Sequence, residues 1–294
     1  MDGNGAGSRI WHAAALFCVG VWGTTFVATK VLIDRGLTPL EIFLVRFLIA
    51  YLCLCLLSGG RLRADSWRDE MLTAALGLSG GSVYFLTENL ALTMAPASNV
   101  SLLVTTAPVL TLSLLRLCRL TGPLLARQIW GAAVAWIGAG CVIFNGSFVL
   151  RIDPAGDLLA LAAAAMWAVY SVLLRRLSGR YGDAFLMRKV FFYGLATALP
   201  LVAVSPFGRS AEWSRPEVWG NLLFLGLVAS LGCYLLWTAV LKRLGTMRAT
   251  NYIYFNPLVT LAAAALVLGE RVTVMAACGA AAILAGVWLA RSRE

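Results

Sequence analysis

Histidine is nearly missing from this chain, and charge of either sign is scarce. His12 is the sole histidine in 294 residues, and only 13% of positions are Asp, Glu, Lys or Arg. A soluble globular domain carries about a quarter charged residues, so there is too little charge here to cover a water-exposed surface. One histidine and scattered carboxylates supply no cluster of acid, base or metal-binding groups, which argues against an enzyme. The seven cysteines (18, 53, 55, 118, 141, 233 and 278) lie in or beside apolar segments without metal-ligand spacing, so they read as small core residues. No metal and no cofactor is implied. The net charge of +10 does not point to nucleic acid, because the basic residues sit between apolar runs and form no basic face or tail.

What the chain has in abundance is apolar sequence. It is 60% hydrophobic, with a mean hydropathy of +0.82. A membrane-spanning helix needs roughly 20 apolar residues. Runs of that kind fall near 11–33, 39–58, 71–92, 97–117 and 128–145, then 156–175, 184–205, 219–241, 248–269 and 272–290. Residues 1–10 read as a disordered tail. The first run is too long for the 7–15-residue apolar core of a signal peptide, so it is expected to be a retained span. An all-α membrane protein with ten transmembrane helices follows, with the lipid bilayer as its surroundings.

The second five runs echo the first five. Trp22 and Lys30 recur as Trp167 and Arg175, and Arg46 as Arg188. Leu76-Gly77-Leu78 recurs as Leu225-Gly226-Leu227, Pro108 as Pro257, and Gly131 and Gly138 as Gly279 and Gly286. An odd number of spans per unit turns the second unit, 156–290, upside down relative to the first, 11–145. Inverted repeats of this type build secondary transporters that bind substrate at the repeat interface. Lys and Arg total seventeen on the side that holds both termini and six on the other, which places both termini in the cytoplasm.

Six of the runs carry polar and aromatic residues at helical spacing. Trp22 and Thr25 share a face in the first, Tyr84 and Glu88 in the third, Ser101, Thr105 and Pro108 in the fourth. Trp167 and Tyr170, Tyr234 and Trp237, and Tyr252 and Asn256 do so in the sixth, eighth and ninth. Unpaired polar groups are costly in lipid, so these faces are expected to meet across a central cavity. Glu88 is open to several roles. It can bind a substrate ammonium, carry a proton, pair with Lys30 or Arg46, or sit near the outer interface. Pro108 and Pro257 are expected to interrupt their helices at corresponding places. Small residues repeat every four positions at Gly131, Ala135 and Ala139, and again at Ala282, Gly286 and Ala290, as in close-packed scaffold helices or a homodimer contact.

With these features the chain resembles the ten-span EamA type of the drug/metabolite transporter superfamily over residues 11–290. The resemblance rests on Trp22-Gly23-Thr24-Thr25-Phe26, on Arg46 and Arg188, on the paired prolines, and on Leu268-Gly269-Glu270-Arg271 followed by Gly279. The first unit departs from it by placing Gly122 where the second has Glu270. The resemblance implies a gradient-linked carrier in a bacterial inner membrane, often an exporter of amino acids or related metabolites. It also implies a cavity lined by the first, third, fourth, sixth, eighth and ninth spans.

The leading expectation is alternating-access export of small amphipathic metabolites, above all amino acids including aromatic ones. Glu88 or Asn99 would hold an ammonium or amide, Asn256 another polar group, and the aromatic residues the apolar part. Uptake or efflux of sugars, nucleotide conjugates or lipophilic drugs is the alternative within transport. An intramembrane lipid-modifying enzyme is a remote third.

Overall fold

The computed structural model describes residues 3–57, 62–95, 97–122, 125–144, 154–205, 212–268 and 273–290, and among these it is helical with no strand. The helices are α1 (Gly3–Asp34), α2 (Pro39–Leu57), α3 (Trp67–Gly77), α4 (Tyr84–Met94), α5 (Ala97–Val104), α6 (Ala107–Leu117) and α7 (Ala126–Phe144). They continue as α8 (Pro154–Leu177), α9 (Asp183–Ala198), α10 (Pro216–Leu223), α11 (Cys233–Leu244), α12 (Thr246–Thr250), α13 (Asn256–Leu268) and α14 (Val274–Ala290). Residues 3–10, expected as a disordered tail, are instead the first turns of α1. Once a helix is nucleated, each further residue adds a hydrogen bond, so the apolar run carries its polar leader with it.

Local chemistry sets the ends. Ser66 caps α3 by accepting from the Asp69 amide at 3.2 Å, with Asp69 and Glu70 in the first turn where the helix dipole favours anions. The end of α1 turns at Gly36, whose φ of 83° suits glycine, as Leu37 N–H bonds Leu32 C=O and Gly36 N–H bonds Ile33 C=O.

Six helical segments are long and apolar enough to cross a membrane: Arg9–Asp34, Pro39–Leu57, Pro154–Leu177, Asp183–Ala203, Pro216–Leu244 and Thr246–Val267. The run near 97–117, expected as one helix, is two, since the backbone leaves the helix at Thr105 and Thr106 before restarting as α6. Large apolar side chains such as Leu56, Leu161, Phe192 and Leu266 stand exposed around the outside, as befits a lipid-facing surface.

The main core lies between α1, α2, α4, α8, α9 and α11, where Phe43, Phe47, Phe85 and Phe191 pack edge to face or tilted. Two features recur in both halves. A π-helical stretch, Leu78–Val83, joins α3 to α4, and a second, Phe224–Gly232, joins α10 to α11. Beside them Gly77 lies against the Val190 carbonyl and Tyr193 Cβ on α9, while Gly226 lies against the Arg46 carbonyl and Ile49 Cβ on α2. This crossed packing sets Arg46 opposite Val190, two positions away from the Arg188 that sequence matching selects.

The α7–α14 pair is also reciprocal. A side chain at Gly138 would strike the Gly279 carbonyl and the Ile283 amide, and one at Gly286 would strike Gly131 and Ala135. Rising numbers on α7 meet falling numbers on α14, so the two helices are antiparallel. The close contacts at Gly138 and Gly286 are therefore made within the chain, in keeping with the scaffold reading of these two helices.

Candidate functional site: a closed aromatic cavity

At the level of the broken helices, a cavity is lined by α1 (Trp22, Thr25, Phe26), α2 (Arg46), α4 (Tyr84, Phe85, Glu88), α5 and α6 (Val104, Ala107). Trp167 of α8, Tyr234 of α11, Ile253 in the 3₁₀ stretch before α13, and Asn256 at the start of α13 complete it. Its volume of about 30 Å³ has room for one or two waters. Rings fill the rest: Trp22 meets Trp167 edge-on at 5.3 Å, and Trp167 meets Tyr84 at 5.2 Å and Tyr234 at 6.0 Å. Edge-to-face packing at these separations is favourable beyond the area it buries.

Two opposite charges share this wall. Arg46, 2% exposed, donates from Nε to Ser230 Oγ at 3.0 Å, and its guanidinium lies 4.2 Å from the Phe85 ring centre. Glu88 lies within electrostatic reach of Arg46 and Tyr84. Of the neighbours the sequence offers Glu88, Arg46 is the one in place. Lys30 pairs with Asp34 at 3.6 Å and donates to the Leu92 carbonyl. A buried charge needs such company, because desolvation in a low-dielectric interior is costly.

Backbone breaks add polar character. Pro108 and Pro257 each fall in the first turn of a restarted helix, α6 and α13. Neither can donate to the carbonyl four residues earlier, and those carbonyls belong to Val104 and Ile253, both on the cavity wall. The Asn256 amide takes up the Ile253 carbonyl in a tighter turn. The π stretches likewise offer carbonyls: Trp22 Nε1 donates to Ala229 at 3.0 Å and Tyr234 Oη to Gly80 at 2.8 Å. By repeat position Gly80 is the partner expected for Trp167, so Tyr234 has taken it. Trp167 Nε1 and Asn256 Oδ1 are left buried without a hydrogen-bond partner, a state that calls for an explanation in a native site.

Of the side chains expected here, Trp22, Thr25, Tyr84, Glu88, Trp167, Tyr234 and Asn256 line the cavity. Tyr170 and Trp237 stand one layer behind, packed on Trp167 and Trp22 at 5.1 and 5.0 Å. Ser101 and Thr105 are buried off the cavity; Ser101 Oγ lies 3.3 Å from Thr260 Oγ1, consistent with a role in helix packing. Tyr252 is elsewhere, its hydroxyl 2.5 Å from His12 Nδ1 near the start of α1. The 3₁₀ stretch Asn251–Phe255 advances about 120° per residue, so α-helical spacing misassigns its faces. The Asn99 side chain, and Glu270 with its neighbours, lie outside the described residues. Among the six wall residues missed are Arg46, Phe26 and Phe85. A lone arginine inside an apolar run was the signal available for the first, and nothing in sequence marks the other two.

Paired helix breaks, opposite charges and aromatic walls inside a lipid-facing bundle define the class, a multi-pass membrane transporter. The EamA-like transporter family matches the chain twice, over residues 9–144 and 154–292, and the protein belongs to that family. A probable terminal-alkyne amino-acid exporter of Streptantibioticus cattleyicolor is 29% identical, over 97% of this chain and 93% of its own. A probable amino-acid metabolite efflux pump of Salmonella typhimurium is also 29% identical, over 94% and 92% of the two chains. A solved crystal structure at 21% identity matches the fold with a TM-score of 0.73 over 96% of each chain.

Proposed function

We propose that this protein exports small amphipathic metabolites, above all amino acids including aromatic ones, by alternating access. The observation that carries the reading is a cavity holding Glu88 and Arg46 among Trp22, Tyr84, Trp167 and Tyr234. A zwitterion with an apolar side chain presents the complementary set: an ammonium for Glu88 and Asn256 Oδ1, a carboxylate for Arg46 and Trp167 Nε1, and a body for the rings. The relatives named as amino-acid exporters and efflux pumps support the same class and direction.

The rest of the reading is ten spans in two inverted five-helix repeats around that cavity, in a bacterial inner membrane with both termini cytoplasmic. The antiparallel α7 and α14 and the distribution of basic residues support it. A volume of about 30 Å³ is too small for any amino acid, so this conformation is a closed one and loading requires the halves to part.

The test is counterflow of labelled phenylalanine in liposomes. Glu88→Gln and Trp167→Ala are each expected to lower the rate by about tenfold or more, as for truncating a buried, hydrogen-bonded contact. Wild-type rates in both variants would remove the cavity assignment. Competition by sugar nucleotides but not by amino acids would remove the substrate class.

A further inference from the structure

A second cavity, of about 840 Å³, opens at one end of the bundle where the C-terminal turn of α8 meets the α11–α12 turn. Arg175, Lys242, Arg243 and Arg248 line it, and among the described residues no carboxylate does. Lys242 is paired with Asp183 of α9, and Arg243 lies 5.5 Å from the centre of the Trp11 ring. Arg175 is exposed. Arg248 has an interaction of its own, so the positive charge that the cavity offers is chiefly that of Arg175 and Arg243, at the edge of an apolar bundle.

Gln128, at the start of α7, borders this cavity and also a groove of about 530 Å³ between α6 and α7. That groove is almost wholly apolar, walled by Val109, Leu112, Ile129, Ala133 and Trp136, and Ile129 and Trp136 are exposed to the surroundings. A basic chamber that shares the wall residue Gln128 with a lipid-facing apolar groove offers the charge and the apolar surface of an amphiphile site. We infer that the pair is a binding site for an anionic phospholipid, its phosphate at Arg175 and Arg243 and one acyl chain along α6 and α7. Basic pockets between transmembrane helices hold anionic headgroups in this way, and each surface cation adds to the attraction. The site is separate from the central cavity and does not depend on what that cavity carries.

The experiment is native mass spectrometry of the full chain in detergent, with phosphatidylglycerol and phosphatidylcholine of the same acyl chains in competition. The expected result is preferential retention of phosphatidylglycerol. Arg175→Gln with Arg243→Gln should weaken it about fivefold per cation removed, roughly twenty-five-fold together, with phosphatidylcholine unaffected. Ala133→Trp, which fills the groove and spares the cations, should also weaken it while leaving the melting temperature near wild type. Equal retention of both lipids, or wild-type retention in the double variant, would overturn the proposal. So would displacement of the lipid by millimolar inorganic phosphate together with indifference to Ala133→Trp, which would mark a site for free phosphate.

Discussion

Trp167 and Tyr234 compete for one acceptor, and the outcome shapes the site. In the first half Trp22 is satisfied by Ala229; in the second, Tyr234 reaches Gly80 first and leaves the Trp167 N–H in the cavity wall. A near-symmetric fold thereby gains an asymmetric donor, as it gains asymmetric charge from Glu88, whose repeat counterpart is Trp237. A different single residue ties the halves together at one end. Glu70, in the first turn of α3 and just before its apolar run, accepts from Lys189, from Tyr193 and from the Ala64 amide. Burial acts to raise its pKa, but those three donors and the Lys189 charge outweigh it and hold the carboxyl at about 2, below its ordinary 4.5. A depressed carboxyl pKa stabilises the fold fully above the unfolded value and ceases to do so as pH falls through the folded one. Thermal stability of the purified protein should therefore decline as pH drops from about 4.5 towards 2. Glu70→Gln should lower the melting temperature at neutral pH and flatten that decline.

At the scale of elements, interruption is the theme. The π stretches and the proline breaks occur in both halves at corresponding positions, and each puts backbone carbonyls where a continuous helix would hide them. The α5–α6 break is expected to depend on Pro108, which stands in the first turn of α6. With Pro108→Ala, the regained N–H at that position can donate to the Val104 carbonyl and join the two helices. Counterflow should then slow while the melting temperature stays close to wild type, because a first-turn proline costs a helix almost nothing. Turnover in liposomes, measured beside the melt, separates this from simple destabilisation. The paired prolines were legible in sequence as markers of broken helices. The π stretches were not read there: Ser79-Gly80-Gly81-Ser82 in the first, and Gly226 and Gly232 in the second, mark weak α-helix, but weak propensity alone does not say that the helix widens and continues; packing of Gly77 and Gly226 against facing backbones accompanies them.

Across the whole molecule, α7 and α14 join the two halves away from the cavity, through contacts so close that Gly138 and Gly286 admit no side chain. Gly138→Leu would drive Cβ to 2.7 Å from the Gly279 carbonyl and the Ile283 amide, backbone atoms that cannot swing aside. The expected cost is about 1–3 kcal/mol or more, read as a lower melting temperature in detergent. Ile137→Ala, one residue away on the exposed face, should change little.

Composition alone determined that the chain belongs in a bilayer, because 13% charge cannot clothe a soluble domain. Repetition determined that it is built twice, and helical spacing identified seven of the side chains that meet at the cavity. Those signals survive in sequence because they are periodic and local. Tertiary structure alone decided which rings line the cavity and which stand behind it, that Arg46 and not Lys30 faces Glu88, and that Tyr252 turns away to His12. These outcomes depend on the rotation of each helix about its own axis, and that rotation is fixed by close contacts between residues far apart in the chain.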